Sequence, residues 1–169
     1  MSKPTIQEML KTWQNRPDVF FRTLWPDIVM WDKLEEVCNS VVNHRRTSIR
    51  SGHGIGKTWV LARLAIWFLT CFKPSIVLTT APTGRQVEKL LWGELHTAYN
   101  SSKIPLGGKL LNTQWKISEN NYAIGFATNE SLDQREFGST KLQGFHSPNL
   151  LILLDEAAGI PQEIYTAIS

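Results

Sequence analysis

The octapeptide Ser-Gly-His-Gly-Ile-Gly-Lys-Thr fills residues 51–58, and the apolar run Trp59–Leu69 follows at once. Its alternating glycines let the backbone take positive φ and approach an anion closely. Successive N–H groups then line a concavity, and a helix starting there adds its positive end. In this pattern Ser51, Gly52, His53, Gly54, Ile55, Gly56, Lys57 and Thr58 surround a phosphate. Lys57 neutralises its charge, and the Thr58 hydroxyl faces a Mg²⁺ ion. Gly-Lys-Ser/Thr alone arises by chance in about one chain in ten of this length, so the flanks decide. Thr47–Arg50 reads as a short strand leading into the loop. Residues 59–72 are apolar almost all round, as a buried helix is. Ser51 stands where the usual spelling has glycine; a small residue is enough if that position needs no positive φ.

A second half-site lies downstream in Leu-Leu-Ile-Leu-Leu-Asp-Glu, residues 150–156. A short, wholly apolar strand ends there in two carboxylates. Open α/β sheets bind ligands outside the carboxyl ends of their strands. Asp155 is placed to hold the metal through water, and Glu156 to activate a water against a terminal phosphate. The plain alternative is an acidic pair opening a helix after a core strand. The phosphate loop 98 positions before Asp155 weighs against it, because two half-sites fall on one consistent pattern.

Between the half-sites the chain alternates. Ser75–Ala81 reads as a strand covered on both faces. Pro82–Gln86 opens a helix in which Thr83 and Gln86 have capping-box spacing. Gln114–Ser118 and Tyr122–Thr128 read as a hairpin. Residues 128–149 read as an irregular, functional loop, and a last helix starts near Pro161. Upstream, helices are expected over 5–14, 17–25 and 27–46, the last with Met30, Leu34, Val37 and Val41 on one face. The expected class is α/β with a mostly parallel sheet. A helical lead-in occupies 1–45 and the core 46–169.

Composition narrows the classes. The formal charge is +3 with a pI near 9.0, which suits a polyanionic partner or an ordinary basic surface equally. Two cysteines, Cys38 and Cys71, give no CxxC pair, so a disulfide framework or zinc site lacks support and an intracellular setting is expected. No run approaches 18 apolar residues, and the N-terminus lacks a signal pattern, so no membrane association or secretion is expected.

Taken together, SGHGIGKT, LTTAPTGRQVEKLLWGEL and QGFHSPNLLILLDEAAGIPQEIYTAI resemble the ATPase domain of large terminase subunits of tailed bacteriophages, over roughly residues 20–169. The resemblance implies an additional-strand, RecA-like P-loop fold binding ATP and Mg²⁺. It implies hydrolysis coupled to movement of double-stranded DNA into a procapsid, in the cytoplasm of an infected bacterium. The implied partners are a portal protein, a small terminase subunit and further copies in a ring. Lys57 and Thr58 match the family's phosphate-loop residues, and Asp155 and Glu156 match its metal-holding Asp and catalytic Glu. The TTAPT block resembles a segment used near DNA, and this stands beside capping for Thr83 and Gln86. Arg85 and Arg135 are arginine-finger candidates, with ordinary surface arginines as the alternative.

Several positions depart from the family. His53 stands where some members carry Arg. Trp31-Asp32 falls where an adenine-contacting Gln is often found, so base recognition is unassigned; Trp31 either stacks on a base or fills a core. The family's chains continue with a coupling motif, further strands and an RNase H-like nuclease domain. We therefore expect an isolated N-terminal part or a shortened gene product, with weak or no turnover alone. Two other classes stand beside this reading: a helicase-like P-loop ATPase, and a non-hydrolysing nucleotide-binding or interaction fragment.

Overall fold

A computed structural model describes residues 4–50, 52, 54, 56–128 and 144–168. The helix α4, Lys57–Cys71, organises the rest. Nine of its 15 residues are buried, on every side of the helix. Such a helix must be covered all round. Three helices of the lead-in contribute: α1 (Ile6–Asn15), α2 (Pro17–Leu24) and α3 (Asp32–Asn43). The α5 helix (Trp92–Ser101) and one face of the sheet complete the cover. Phe20, Phe21, Leu24 and Leu34 from the lead-in share one apolar cluster with Leu64, Ile66, Val77 and Leu95.

Local chemistry fixes the ends of these helices. At α1 the Glu8 carboxylate accepts from the Thr5 backbone N–H at 2.7 Å, while the Glu8 N–H donates to the Thr5 hydroxyl at 3.3 Å. This is a capping box. Pro17 opens α2, where its missing N–H costs nothing. Gln14 Nε2 donates to the Cys71 carbonyl at 2.7 Å, satisfying an orphan acceptor at the C-terminal end of α4. Trp67 Nε1 donates to the Trp13 carbonyl at 2.6 Å.

The sheet runs β2 (Lys109–Leu110), β3 (Gln114–Ser118), β4 (Asn121–Ala127), β1 (Ser75–Ala81), β5 (Leu150–Leu154) in spatial order. β1 pairs parallel with both β4 and β5, and all seven of its residues are buried. The hairpin β3–β4 is antiparallel, as is β2–β3. The sheet is therefore mixed, not mostly parallel: the hairpin inserts its second strand beside β1 and brings two antiparallel pairings, β3–β4 and β2–β3, with it. On the far face Ile76 and Leu78 pack with Ile160 and Ile164, the latter from α6 (Gln162–Ala167).

Two further expectations change. Thr47–Arg50 forms no strand, and among the described residues it has no ladder partner. α3 starts at Asp32 rather than at 27, with Trp31 as an extended N-cap (φ −106°, ψ 160°), so Met30 precedes the helix. An acidic first residue favours a start there, against the positive helix end. The hairpin, the strand at 75–81, the apolar strand at 150–154 and the helix after Pro161 form as expected. Most of residues 128–149 lies outside the described residues.

One polar side chain sits in the cover of α4. Arg63 is 5 % exposed and lies over the Trp59 ring at 3.8 Å and the Trp25 ring at 5.0 Å. It donates to Glu94 Oε1 on α5 at 2.7 Å and to the Trp59 carbonyl at 3.1 Å. Burial lowers the guanidinium pKa and the Glu94 contact opposes this. Removing one partner of a buried pair costs more than replacing the charge by apolar volume. Glu94→Ala should therefore lower stability by about 2–4 kcal/mol, less than a fully buried pair because Glu94 is partly exposed. Arg63→Met should cost less. Urea midpoints for the two variants check the order.

Candidate functional site

The loop before α4 is shaped by backbone conformation. Gly54 has φ +78° and Gly56 φ +85°, ψ 22°. A Cβ at Gly54 would meet nothing within 4 Å, and one at Gly56 only Trp59 Cβ at 3.8 Å. Glycine is needed there for the left-handed conformation, not for space. No side chain caps α4, so its first-turn N–H groups lack the side-chain acceptor a capped helix has. Lys57 Nζ donates to the Gly52 carbonyl at 3.0 Å, which holds the ammonium against the loop. Ser51, His53 and Ile55 lie outside the described residues.

The loop meets the end of β5. Thr58 Oγ1 donates to Asp155 Oδ2 at 3.1 Å, joining residues 97 positions apart. Asp155 is 3 % exposed. Its backbone N–H donates to the Thr80 carbonyl at 2.9 Å, continuing the β1–β5 ladder by one residue. Its other carboxylate oxygen accepts from the Glu156 N–H at 3.0 Å. Both oxygens of this buried side chain are thus hydrogen-bonded, as buried polar groups must be.

Glu156 is held in the left-handed region, φ 50°, ψ 47°, with its side chain at the exposed surface. The turn is closed by the Gly159 N–H donating to the Glu156 carbonyl at 2.9 Å. Gly159 packs so closely on Pro82 that a Cβ would lie 2.7 Å from its Cγ. Pro82 follows β1 directly, so the acidic turn is seated on the carboxyl end of the central strand.

Thr83 and Gln86 form the expected capping box, with Thr83 N–H to Gln86 Oε1 at 3.0 Å and Gln86 N–H to Thr83 Oγ1 at 3.3 Å. Their helix passes through a π-helical segment, Gln86–Leu91, before α5; π-turns recur at functional sites, and nothing in the sequence pattern announced this one. Arg85 is exposed beside this box, and no described contact joins it to Lys57 or Asp155. Arg135 lies outside the described residues. Trp31 is not a core residue: it is 43 % exposed. Cys38 and Cys71 are buried free thiols, pushed up to about 12 by burial, which keeps them protonated and unreactive.

Among the described residues no group of three or more His, Cys, Asp or Glu is placed to hold a metal. Thr58 and Asp155 offer one hydroxyl and one carboxylate. That is too few for a protein-only ion cage and fits Mg²⁺, which takes one or two carboxylates and completes its shell with water and phosphate oxygens. No helix among the described residues is long and apolar enough to cross a membrane. No protein-family model matches the chain, and no curated protein matches it.

The left-handed Glu156 carries conformational strain that glycine would relieve. Glu156→Gly should raise stability by about 1 kcal/mol, measured as a higher urea midpoint. A lower midpoint would mean the side chain contributes more than the strain costs.

Proposed function

We propose that the chain is the nucleotide-hydrolysing part of a DNA-packaging motor, the ATPase region of a phage large terminase subunit with a RecA-like P-loop fold. The observation that carries the nucleotide half is the 3.1 Å contact between Thr58 Oγ1 and Asp155 at the end of a positive-φ glycine loop. A hydroxyl and a buried carboxylate 97 positions apart meet at one sheet end, and the neighbouring Lys57 is held against the glycine loop. This donor set fits Mg²⁺ and phosphate. The packaging half, with double-stranded DNA, a portal and a ring of copies as partners, is supported by the resemblance of the three sequence blocks.

Bound Mg·ATP supplies the reactive phosphoryl group and the charge of the metal. The chain's own residues do the rest. Loop N–H groups and the first turn of α4 bind phosphate oxygens. Lys57 balances their charge. Thr58 and Asp155 hold the metal's protein side. Glu156, exposed and one residue beyond Asp155, takes a proton from an attacking water.

Calorimetric titration with Mg·ATP and a single-turnover phosphate-release assay test this. Lys57→Ala should weaken binding at least tenfold, the loss of a charged hydrogen bond worth about 1.5–3 kcal/mol. Glu156→Gln should bind as the parent does and release phosphate about 10²–10⁴-fold more slowly. Unchanged affinity in Lys57→Ala would remove the phosphate-loop reading. Stimulation of turnover by portal or procapsid distinguishes packaging from a helicase-like role, which strand separation would reveal instead.

A further inference from the structure

Gly159 is a glycine for reasons of space. Its φ lies outside the positive range, unlike those of Gly54 and Gly56, so its conformation is one that any residue adopts. A Cβ there would lie 2.7 Å from Pro82 Cγ and 3.4 Å from Pro82 Cβ. Pro82 is buried, and a ring in packed surroundings cannot yield as a flexible chain end does. The turn Ala157–Gly159 and the carboxyl end of β1 are therefore held at a separation that a single methyl group would widen. We infer that Gly159 and Pro82 are positioning residues for Glu156: their contact sets how near the acidic turn comes to the end of β1, and so where the glutamate stands relative to Lys57, Thr58 and Asp155. The inference rests on the hydrolytic reading above and adds to it the device that places the general base.

Three observations carry it. First, Glu156 is the one non-glycine residue with positive φ among the described residues. Such a conformation persists only where the surroundings over-determine it, and it clusters at active sites. Second, the surroundings do so here. The Gly159 N–H closes the turn on the Glu156 carbonyl at 2.9 Å. Tyr165 Oη on α6 donates to the Ala157 carbonyl at 2.5 Å, and the buried Ile160 packs with Ile76 and Leu78 on the far face of the sheet. The turn is thus tied to α6 and to the sheet, and Pro82 is where it meets the end of β1. Third, Asp155 is anchored separately. Its N–H lies in the ladder with the Thr80 carbonyl at 2.9 Å, and its carboxylate accepts from Thr58 at 3.1 Å. A shift of residues 157–159 therefore moves Glu156 while these two bonds hold Asp155 in place. The binding groups and the base stand on different supports, which separates affinity from rate.

Single-turnover phosphate release and calorimetry with Mg·ATP test this on the parent chain, Gly159→Ala, Pro82→Ala and the double variant. A misplacement of about 1 Å costs about 10²-fold in rate, so Gly159→Ala should slow release by roughly that factor while Mg·ATP affinity stays within about twofold. Pro82→Ala opens the contact without adding bulk, and carries the test if Gly159→Ala does not fold. It should slow release at least about threefold, again with affinity unchanged. The double variant should release phosphate faster than Gly159→Ala alone, because the ring that the added methyl group strikes is gone and the two changes are not additive. Release unchanged in a folded Gly159→Ala, or in Pro82→Ala, would overturn the positioning role and leave the phosphate loop standing. Affinity that falls in step with release would overturn it too, since the contact would then shape the whole sheet end. So would a double variant no faster than Gly159→Ala, since the loss would then come from elsewhere. A parent chain that binds Mg·ATP and releases no phosphate would overturn the hydrolytic reading, and this inference with it.

Discussion

The helix Lys57–Cys71 is apolar around its whole circumference, and the molecule is arranged to hide it. Burying a large aliphatic or aromatic side chain is worth about 1.5–3 kcal/mol, so a helix with Leu64, Ile66, Trp67 and Leu69 facing several directions draws cover from several elements. The lead-in helices, α5 and the inner sheet face all converge on it. Its N-terminal end is half-buried. That end carries Lys57 and Thr58 and meets Asp155. The burial that holds the helix in place is thus what positions the site, and a change in the helix's cover far from Lys57 reaches the loop through the rigid body of α4.

Polar groups inside this cover are placed as links. Arg63 joins the Trp25 and Trp59 rings to Glu94 and so ties α2, α4 and α5 together. Its Nε has no partner among the described residues, which makes the cage costly as well as specific. At the opposite end of the sheet, Asn121 accepts from the Ser75 hydroxyl at 2.7 Å and donates to the Leu69 carbonyl at 3.2 Å. These links fix the register of β1 against β4 and of α4 against the sheet. The acidic turn gains its geometry the same way, from Asp155 in the ladder and Gly159 on Pro82.

Much of this was legible locally. The glycines at 54 and 56, the apolar run after them, the strand ending in Asp155 and the Thr83–Gln86 box are all short-range signals that tertiary context did not override. The failures are long-range. Thr47–Arg50 has a strand's composition, but a strand exists only with a partner, and none of the described strands pairs with it. Met30 matches a helical period, yet α3 begins at Asp32, because periodicity does not say where a helix starts. The hairpin was readable, but not its insertion beside β1, which makes the sheet mixed. Residue type left Trp31 open between a core and a stacking role; its exposure of 43 % excludes the core.

The central claim is that the glycine loop and the acidic turn grip one metal–triphosphate together. Paramagnetic broadening by Mn²⁺ in place of Mg²⁺ reads this directly on ¹⁵N-labelled protein. With ATP present, the amides of Gly56, Lys57 and Thr58 and those of Asp155 and Glu156 should broaden together, at the same low Mn²⁺ concentration. Broadening confined to one of the two segments would place the ion elsewhere and contradict the account.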